Sequence, residues 1–308
     1  MKKFIPRRIK ERNRWLRSDG KPNFKTVIRR AISKLEPLIV KDIATVTLAS
    51  TILDVCEVMS RYNQRLVLVV TTNDELKGVV SGTDILHLLA GEKSDIIRKH
   101  NIESIYDFIK LSIRKIMSEE LIVVNENVSI DEVISIMILN NIGALPVIDS
   151  KSNRVLGIVS EGSIIKHIAK SRTGITVSEV MSREVIVSNY NKTLGSAIED
   201  MCVSGIRRLP IVNEGKIVGV LTWRNIIDLI GRHEVFEMLS SKKLSELFAI
   251  PLSKIKLSDP LVVSEDKDIG EVTDRMRMAN TDYALVVEEG NLKGIITERD
   301  ILYGLLAK

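Results

Sequence analysis

The 308-residue chain has little cysteine, little histidine and a single glutamine. Its two cysteines, Cys56 and Cys202, do not have the spacing of a disulfide framework or a zinc site, and we expect both to be small core residues. The four histidines show no metal-ligand spacing, so we predict no metal. One glutamine, Gln64, among many Ile, Lys, Arg and Glu residues is typical of a protein from a thermophile.

Long apolar runs are also missing. No stretch approaches the ~20 apolar residues that cross a bilayer, and the charged N-terminus has no apolar core of a signal peptide. We therefore expect a cytoplasmic protein with no membrane partner. Neither a nucleophile–base pair nor the glycine-rich phosphate loop of nucleotide hydrolases is evident, so we expect the protein not to be an enzyme.

Positive charge is concentrated in the first 34 residues. Thirteen Lys and Arg against two acidic residues give this segment +11, and since the whole chain is +5, residues 35–308 carry −6. Dense cations release counterions from phosphates, and interleaved Trp and Arg side chains stack on unpaired bases. We predict that this arm binds RNA, with a merely solubilising tail as the alternative. The candidate RNA-binding residues are Arg7, Arg8, Lys10, Arg12, Arg14, Trp15, Arg17, Lys21, Lys25, Arg29 and Arg30.

One eight-residue pattern recurs four times in the remainder of the chain. It consists of a glycine, two strand residues, a hydroxyl, two free positions, a polar residue and an apolar residue. Internal repeats of this kind decide the architecture of a chain. The four copies are Gly78–Ile85, Gly157–Ile164, Gly219–Ile226 and Gly294–Ile301.

Each copy predicts a strand that leads directly into a helix. The glycine is expected to let the backbone turn, and the hydroxyl lies where a helix N-cap would lie. The N-terminal end of a helix attracts anions, and a carboxylate one turn into the helix accepts hydrogen bonds from a ribose diol. A hydroxyl and a carboxylate at this spacing therefore indicate a nucleotide site.

With these four motifs, residues 36–308 resemble the CBS-domain family. The resemblance implies an α/β fold of four CBS repeats, each a β-α-β-β-α unit, in two tandem Bateman modules that bind adenosine derivatives in clefts. AMP, ADP or ATP is the expected ligand. The expected domains are a basic arm (1–35), a first module (36–172, with repeats 36–90 and 111–170) and a second module (173–308, with repeats 173–231 and 251–308).

The first and fourth repeats carry the ribose carboxylate, and we rank the fourth first. The resemblance implies that phosphates meet a basic residue just before the central strand of the partner repeat, and the third repeat has two arginines there. Arg299 is expected either to reach phosphate or to face solvent. The candidate nucleotide-binding residues are Thr297, Arg299, Asp300, Arg207 and Arg208, with Val262, Val263, Tyr283 and Ala284 as adenine neighbours.

The second candidate site consists of Ser81, Asp84, Thr45 and Val46. It lacks the phosphate cation, because the second repeat has glycine and alanine before its central strand, so an adenosine-like ligand is expected. The second and third repeats have serine and asparagine in place of the carboxylate. An alternative is that both aspartates only cap helices. Trp223 of the third motif is expected either to close a pocket or to form a contact surface.

These features predict a regulatory nucleotide sensor whose arm binds RNA, with a ribosomal subunit as partner. In this respect the chain resembles archaeal CBS-type ribosome hibernation factors. One alternative is a regulatory subunit, similar to the gamma subunit of AMP-activated kinases, that acts on a protein partner. Another is a DNA-linked regulator. Assembly into a homodimer is compatible with each of these functions.

Overall fold

The computed structural model describes residues 35–168 and 172–307. The predicted RNA-binding residues lie outside these ranges. The first two repeats have the predicted β-α-β-β-α order, and two short helices lie between them. Their elements are β1 (Thr45–Val46), α1 (Ile52–Tyr62), β2 (Leu66–Val70), β3 (Leu76–Ser81), α2 (Gly82–Ala90), α3 (Asp95–Lys99), α4 (Ile105–Ile109), β4 (Val124–Asn125), α5 (Ile130–Asn140), β5 (Ala144–Ile148), β6 (Val155–Ser160) and α6 (Glu161–Ile168).

The third and fourth repeats follow the same order. A short helix opens the third repeat, and two more follow its last helix before the first strand of the fourth. The elements are α7 (Val177–Val180), β7 (Ser188–Asn189), α8 (Leu194–Ser204), β8 (Arg208–Asn213), β9 (Lys216–Thr222), α9 (Trp223–Gly231), α10 (Val235–Met238), α11 (Leu244–Ala249), β10 (Val262–Val263), α12 (Ile269–Met278), β11 (Tyr283–Glu288), β12 (Asn291–Thr297) and α13 (Glu298–Ala307).

Each repeat builds a three-stranded sheet. Its short first strand pairs in parallel with the second strand, and the second pairs antiparallel with the third. In the fourth repeat, Val262 lies opposite Leu285 and Tyr283 lies opposite Thr297. The third strand therefore ends beside the start of the second, and its final hydroxyl residue leads straight into a helix.

The segment of each repeat that precedes its first strand pairs with the third strand of a neighbouring repeat. Val40 pairs with Ile158, and Ser118 pairs with Val79, so the first and second repeats exchange segments. Bridges Ser182–Ile295 and Val220–Ser258 relate the third and fourth repeats in the same way. This exchange links the same pairs that the sequence analysis groups into modules, while the module boundaries themselves stay a prediction.

The repeats are distributed over two compact units. The first unit holds residues 43–121 and 186–259, which are the first and third repeats. The second unit holds residues 35–42, 122–168, 172–185 and 260–307, which are the second and fourth repeats. Each unit has its own apolar core, in which side chains removed from water supply the main driving force for folding.

The two cysteines lie in the core of the first unit as free thiols, as predicted. Burial, with a smaller contribution from Glu57, raises the pKa of the Cys56 thiol. Burial likewise raises the pKa of Cys202 to about 12. Since the thiolate is the reactive form, both side chains behave as small apolar residues.

Leu35, the last residue that the sequence analysis assigns to the basic arm, belongs to the core of the second unit. It is 1% exposed, as is Leu38 at the end of the 3-10 turn Glu36–Leu38. Val40 follows and pairs with Ile158 through hydrogen bonds in both directions. Leu35 therefore packs together with the repeats. Within the described residues, no helix combines the length and the apolar character that a membrane crossing needs.

Helix N-termini meet in both units through a glycine that makes room for a larger side chain. In the first unit, a Cβ on Gly82 would lie 2.6 Å from Cε3 of Trp223, which is 4% exposed. Trp223 therefore forms a contact surface with the first repeat, one of the two roles predicted for it. In the second unit, a Cβ on Gly162 would overlap the Oε1 of Glu298.

Gly82→Ala and Gly162→Ala are expected to change the free energy of unfolding by different amounts or in opposite directions. The indole ring is rigid and enclosed, so Gly82→Ala should lower the free energy of unfolding by roughly 1–3 kcal/mol, the usual cost of overpacking. The Glu298 carboxylate ends a flexible side chain, and alanine favours a helix by about 0.5–1 kcal/mol over glycine, so Gly162→Ala should be near neutral or stabilising. Urea unfolding measures both. Equal losses from the two variants would contradict the proposed contact between Gly82 and Trp223.

Candidate functional site

Four strand-to-helix junctions place a hydroxyl residue opposite the third residue of the following helix. The backbone N–H of the hydroxyl residue donates to the side chain of that third residue in each junction. These bonds fill donors that a helix start leaves without partners. The four pairs are Ser81 with Asp84, Ser160 with Ser163, Thr222 with Asn225, and Thr297 with Asp300.

In the fourth junction, Asp300 is a buried carboxylate that is 7% exposed. Its Oδ2 accepts from the backbone N–H of Thr297 at 2.9 Å and from the Thr297 hydroxyl at 2.7 Å. Its Oδ1 faces the hydroxyl of Ser182 at 3.5 Å. The aspartate thus caps α13, which was the alternative prediction for it, and it also presents its second oxygen toward another segment.

Ser182 reaches this position because its segment pairs with the third strand of the fourth repeat. The backbone of Ser182 and that of Ile295 exchange hydrogen bonds of 2.9 Å in both directions. A Cβ on Gly294 would lie 2.8 Å from the carbonyl oxygen of Ser182 and 2.8 Å from the sulfur of Met181. The motif glycine therefore serves a close approach of two backbones, rather than the turn that the sequence analysis expected.

Sequence analysis missed Ser182, although a signal was available. A serine directly follows an apolar residue ahead of the first strand in the second, third and fourth repeats, as Ser118, Ser182 and Ser258. In the third repeat, Ser258 donates to Oδ1 of Asn225 at 3.2 Å. Two of the three serines therefore contact the residue that takes the carboxylate position.

The predicted adenine neighbours divide into two groups. Tyr283 lies opposite Thr297 across the strand pair and is 3% exposed. Val262 lies on the edge strand of its sheet and is 41% exposed. Val263 and Ala284 belong to the core of the second unit. The structure thus leaves Val262 as the exposed apolar side chain among the four.

Arg299 has a partner that the sequence analysis did not consider. Its Nε donates to Oε1 of Glu161 at 2.6 Å, and its Nη1 donates to the side-chain oxygen of Asn141. The guanidinium also lies over the ring of Tyr303. The side chain of Glu161 is only 4% exposed, and that of Arg299 is 22% exposed. This buried ion pair joins the second repeat to the fourth within the second unit.

The electrostatics of the pair follow from this geometry. Burial by itself lowers the pKa of Arg299, but the adjacent Glu161 carboxylate outweighs burial, and the pKa is raised above its ordinary value. Arg299 therefore stays charged and tied to Glu161. Its contacts are with Glu161, Asn141 and Tyr303, and its role toward a phosphate stays a prediction.

The two predicted phosphate ligands, Arg207 and Arg208, lie in the first unit, whereas Asp300 lies in the second. Arg208 opens β8 opposite Thr222 and is 8% exposed. The carbonyl of Arg207 accepts a hydrogen bond from the backbone of Trp223. Their role toward a phosphate stays a prediction.

The second predicted site is assembled in the first unit. Oδ2 of Asp84 accepts from the backbone of Ser81 at 2.7 Å and from its hydroxyl at 2.6 Å. Its Oδ1 forms an ion pair with Nζ of Lys93 at 2.5 Å. Val46 is buried and Thr45 is exposed on β1, the edge strand of this sheet. Lys93 was not among the predicted residues.

The other two junctions are satisfied by neutral groups. Asn225 accepts from the backbone and the hydroxyl of Thr222 at 2.7 Å each, and its amide donates to the carbonyl of Lys256. The hydroxyl of Ser163 donates to the carbonyl of Ser160. An amide can therefore serve the same capping geometry as the carboxylate.

A sequence model of the CBS domain matches residues 35–91, 113–170, 177–232 and 252–307, one match for each repeat. The chain belongs to the CBS-domain family. It is a mixed α/β chain of four CBS repeats, consistent with two tandem Bateman modules.

Two archaeal CBS relatives match most of the chain. A 33.4 kDa protein in the ribosomal RNA operon of Thermofilum pendens is 30% identical over 261 residues, which is 84% of this chain and 87% of the relative. Protein MJ1225 of Methanocaldococcus jannaschii is 29% identical over 267 residues, or 85% of this chain and 95% of that protein.

Solved structures agree with the CBS fold. The crystal structure of MJ1225, described as a candidate archaeal homologue of the gamma subunit of AMP-activated kinase, has a TM-score of 0.79 at 27% identity. It covers 88% of this chain and 99% of its own. A conserved protein from Pyrococcus horikoshii gives a TM-score of 0.56 at 20% identity, covering 89% of this chain and 100% of its own, which shows the fold alone.

Arg299→Ala is expected to destabilise the CBS protein strongly, because it leaves the Glu161 carboxylate buried without its cation. Breaking one partner of a buried pair costs about 3 kcal/mol or more in the free energy of unfolding. Arg277→Ala is the matched control: it removes an exposed arginine from an ion pair with Asp274, which is worth at most about 1 kcal/mol. Urea unfolding compares the two.

Adding Glu161→Gln to the Arg299→Ala variant should recover part of the lost stability, because the amide carries no charge to be buried. If the double variant were no more stable than Arg299→Ala alone, the interpretation of a stranded carboxylate would be wrong.

Proposed function

We propose that this CBS protein is a regulatory sensor of adenine nucleotides without catalytic activity of its own. The observation that carries the proposal is the Asp300 junction. A buried carboxylate there lies one turn into a helix, beside a helix N-terminus that favours anions. An ionised carboxylate accepts at about four positions, so a ribose diol can join Thr297 and Ser182 as donors to Asp300.

The similarity to MJ1225 supports this role. That protein is described as a candidate archaeal homologue of the kinase gamma subunit, and its structure matches nearly the whole CBS region at 27% identity. The exposed Val262 on the edge strand beside β11 supplies an apolar surface of the kind that adenine rings contact.

Asp300→Asn tests the nucleotide site. The amide is expected to keep the capping bonds, as Asn225 does in the third repeat, while it loses the charge. Since hydrogen bonds to a charged group are worth about 1.5–3 kcal/mol and 1.4 kcal/mol is tenfold in affinity, binding of AMP or ATP should weaken about tenfold or more. Isothermal titration calorimetry on the full chain measures it.

Asp74→Asn is the matched control for this test. It makes the same chemical change in an exposed hairpin turn, at a positive φ of 60° that asparagine adopts readily. Unchanged nucleotide affinity in Asp300→Asn, or an equal loss in both variants, would contradict the assignment of Asp300.

The basic arm extends the proposal to RNA, and to a ribosomal subunit as the site of action. Its charge of +11 precedes a body of −6, which directs electrostatic attraction for phosphates to one end of the chain. The Thermofilum pendens relative is a protein in a ribosomal RNA operon. A nucleotide-dependent silencing factor of the translation machinery fits both observations.

Substitution of five arm arginines tests this part. Full-length protein with Arg7, Arg8, Arg12, Arg14 and Arg17 changed to Gln should lose co-sedimentation with ribosomes at moderate salt, because fewer counterions are released on binding. The control variant changes five exposed body lysines to Gln and therefore has the same net charge. Those lysines are Lys77, Lys110, Lys151, Lys216 and Lys254.

Only the arm variant should leave the ribosome fraction. If both variants lost co-sedimentation equally, the binding would depend on net charge and not on the arm. Failure of the unaltered protein to co-sediment would reject the ribosome as partner.

A second candidate function is regulation of a protein partner. The description of MJ1225 as a candidate kinase gamma-subunit homologue favours it, and it shares the nucleotide site with the first proposal. Affinity capture with the full chain, followed by analysis of both RNA and protein, separates the two. Recovery of one enzyme in a molar amount equal to that of the captured chain, without ribosomal RNA, favours the regulatory-subunit function.

A further inference from the structure

The turn after α2 brings the side chain of Lys93 back to the carboxylate of the first repeat. We propose that Lys93 is a built-in occupant of the ribose position at Asp84, which closes this site to nucleosides until the lysine is displaced. The inference rests on the proposed function, since it assumes that the carboxylates of the CBS motifs bind ribose.

Both oxygens of Asp84 are committed within the first unit. Oδ2 accepts the two bonds from Ser81, and Oδ1 lies 2.5 Å from Nζ of Lys93. The ammonium also donates to the carbonyl oxygen of Ile116. The side chains of Asp84 and Lys93 are only 18% and 27% exposed, respectively. A ribose hydroxyl therefore meets a carboxylate whose second oxygen is already covered by a cation.

The chemistry favours the lysine over a sugar. An ammonium bound to a carboxylate makes a charge-assisted hydrogen bond, about twice as strong as one between neutral groups. The lysine is tethered to the chain, so it does not lose the translational freedom that a ligand loses on binding. A nucleoside must replace this contact and also leave the carbonyl of Ile116 without its donor.

The backbone holds Lys93 in place through a fixed turn. The carbonyl of His87 accepts from the backbone of Gly91 at 3.0 Å and from that of Lys93 at 3.1 Å. A Cβ on Gly91 would overlap Nδ1 of His87, so glycine is required there. The backbone of Glu92 also donates to this imidazole nitrogen. The turn thus directs the lysine stem toward Asp84.

The first repeat combines a motif carboxylate with a cation twelve residues after its hydroxyl, whereas the second repeat has Arg172 at that distance but Ser163 in place of the carboxylate. Lys93 lies twelve residues after the motif hydroxyl Ser81, and the residue at that distance from Thr222 in the third repeat is Glu234. The third repeat also has an amide, Asn225, instead of a carboxylate. The motif pattern alone predicts that the first repeat binds a nucleoside, whereas Lys93 keeps that site closed until it is displaced.

Calorimetric titration of the full chain with adenosine, and separately with AMP, tests the inference. Adenosine carries the diol and needs no phosphate ligand. We expect one site per chain in the unaltered protein and two in Lys93→Met, which keeps the aliphatic stem without the charge. Lys93→Gln, a second variant that retains a weaker donor, should show the added site with lower affinity. Both variants should unfold in a cooperative thermal transition, which shows that they are folded.

Two further variants identify the added site. Lys192→Met removes the lysine of another ion pair in the first unit, at 2.9 Å from Asp200, and should leave one site. Asp84→Asn combined with Lys93→Met should return the count from two to one, because the amide keeps the cap but not the charge.

The outcomes separate the inference from the proposed function. One site in both the unaltered protein and the Lys93 variants overturns the inference and leaves the nucleotide site at Asp300 standing. Two sites in the unaltered protein, with one lost in Lys93→Met, also overturns it, since the lysine would then be a ligand contact. No binding by any variant rejects the proposed function itself.

Discussion

Eight backbone hydrogen bonds, in four reciprocal pairs, hold the exchanged segments to the third strands of the repeats. A strand at the edge of a sheet exposes donors and acceptors that pair readily with other chains, and a three-stranded sheet has two such edges. The segments that precede the first strands of the repeats cover one edge of each sheet. This constraint requires glycine at the motif position, where Gly294 and Gly78 leave space for a methionine and a carbonyl oxygen. It also places Ser182 against Asp300, so the candidate site depends on it.

Much of the fold follows from the four copies of one pattern. Helices α5, α8 and α12 begin at Ile130, Leu194 and Ile269, each directly after a polar capping residue, because apolar periodicity and capping residues act locally. The hydroxyl caps are confirmed for the same reason. The role predicted for the motif glycine, a backbone turn, was wrong. Glycine is needed at Gly294 because the segment around Ser182, more than a hundred residues away in the chain, approaches it closely. Local pattern cannot report a contact of that kind.

The same limit separates the two motif carboxylates. Asp84 and Asp300 have identical sequence signatures and nearly identical caps, yet Lys93 covers one and Ser182 faces the other. Arg299 illustrates the point from the cation side, since its partner Glu161 lies in the second repeat, at the first free position of that repeat's motif. Residues that the pattern treats as free to vary therefore join the repeats, and the chemistry of each junction is decided by them.

The root of the basic arm has a mechanical consequence. Leu35 and Leu38 are buried in the core of the unit that contains Asp300, and Val40 is bonded to β6 of the same unit. Tension on the arm is therefore transmitted first to two leucine side chains and one pair of backbone bonds. Antiparallel bonds of this kind, perpendicular to their strands, resist a pull along the strands by shearing rather than by opening one at a time. A load on the arm would thus be borne by the unit that contains Asp300.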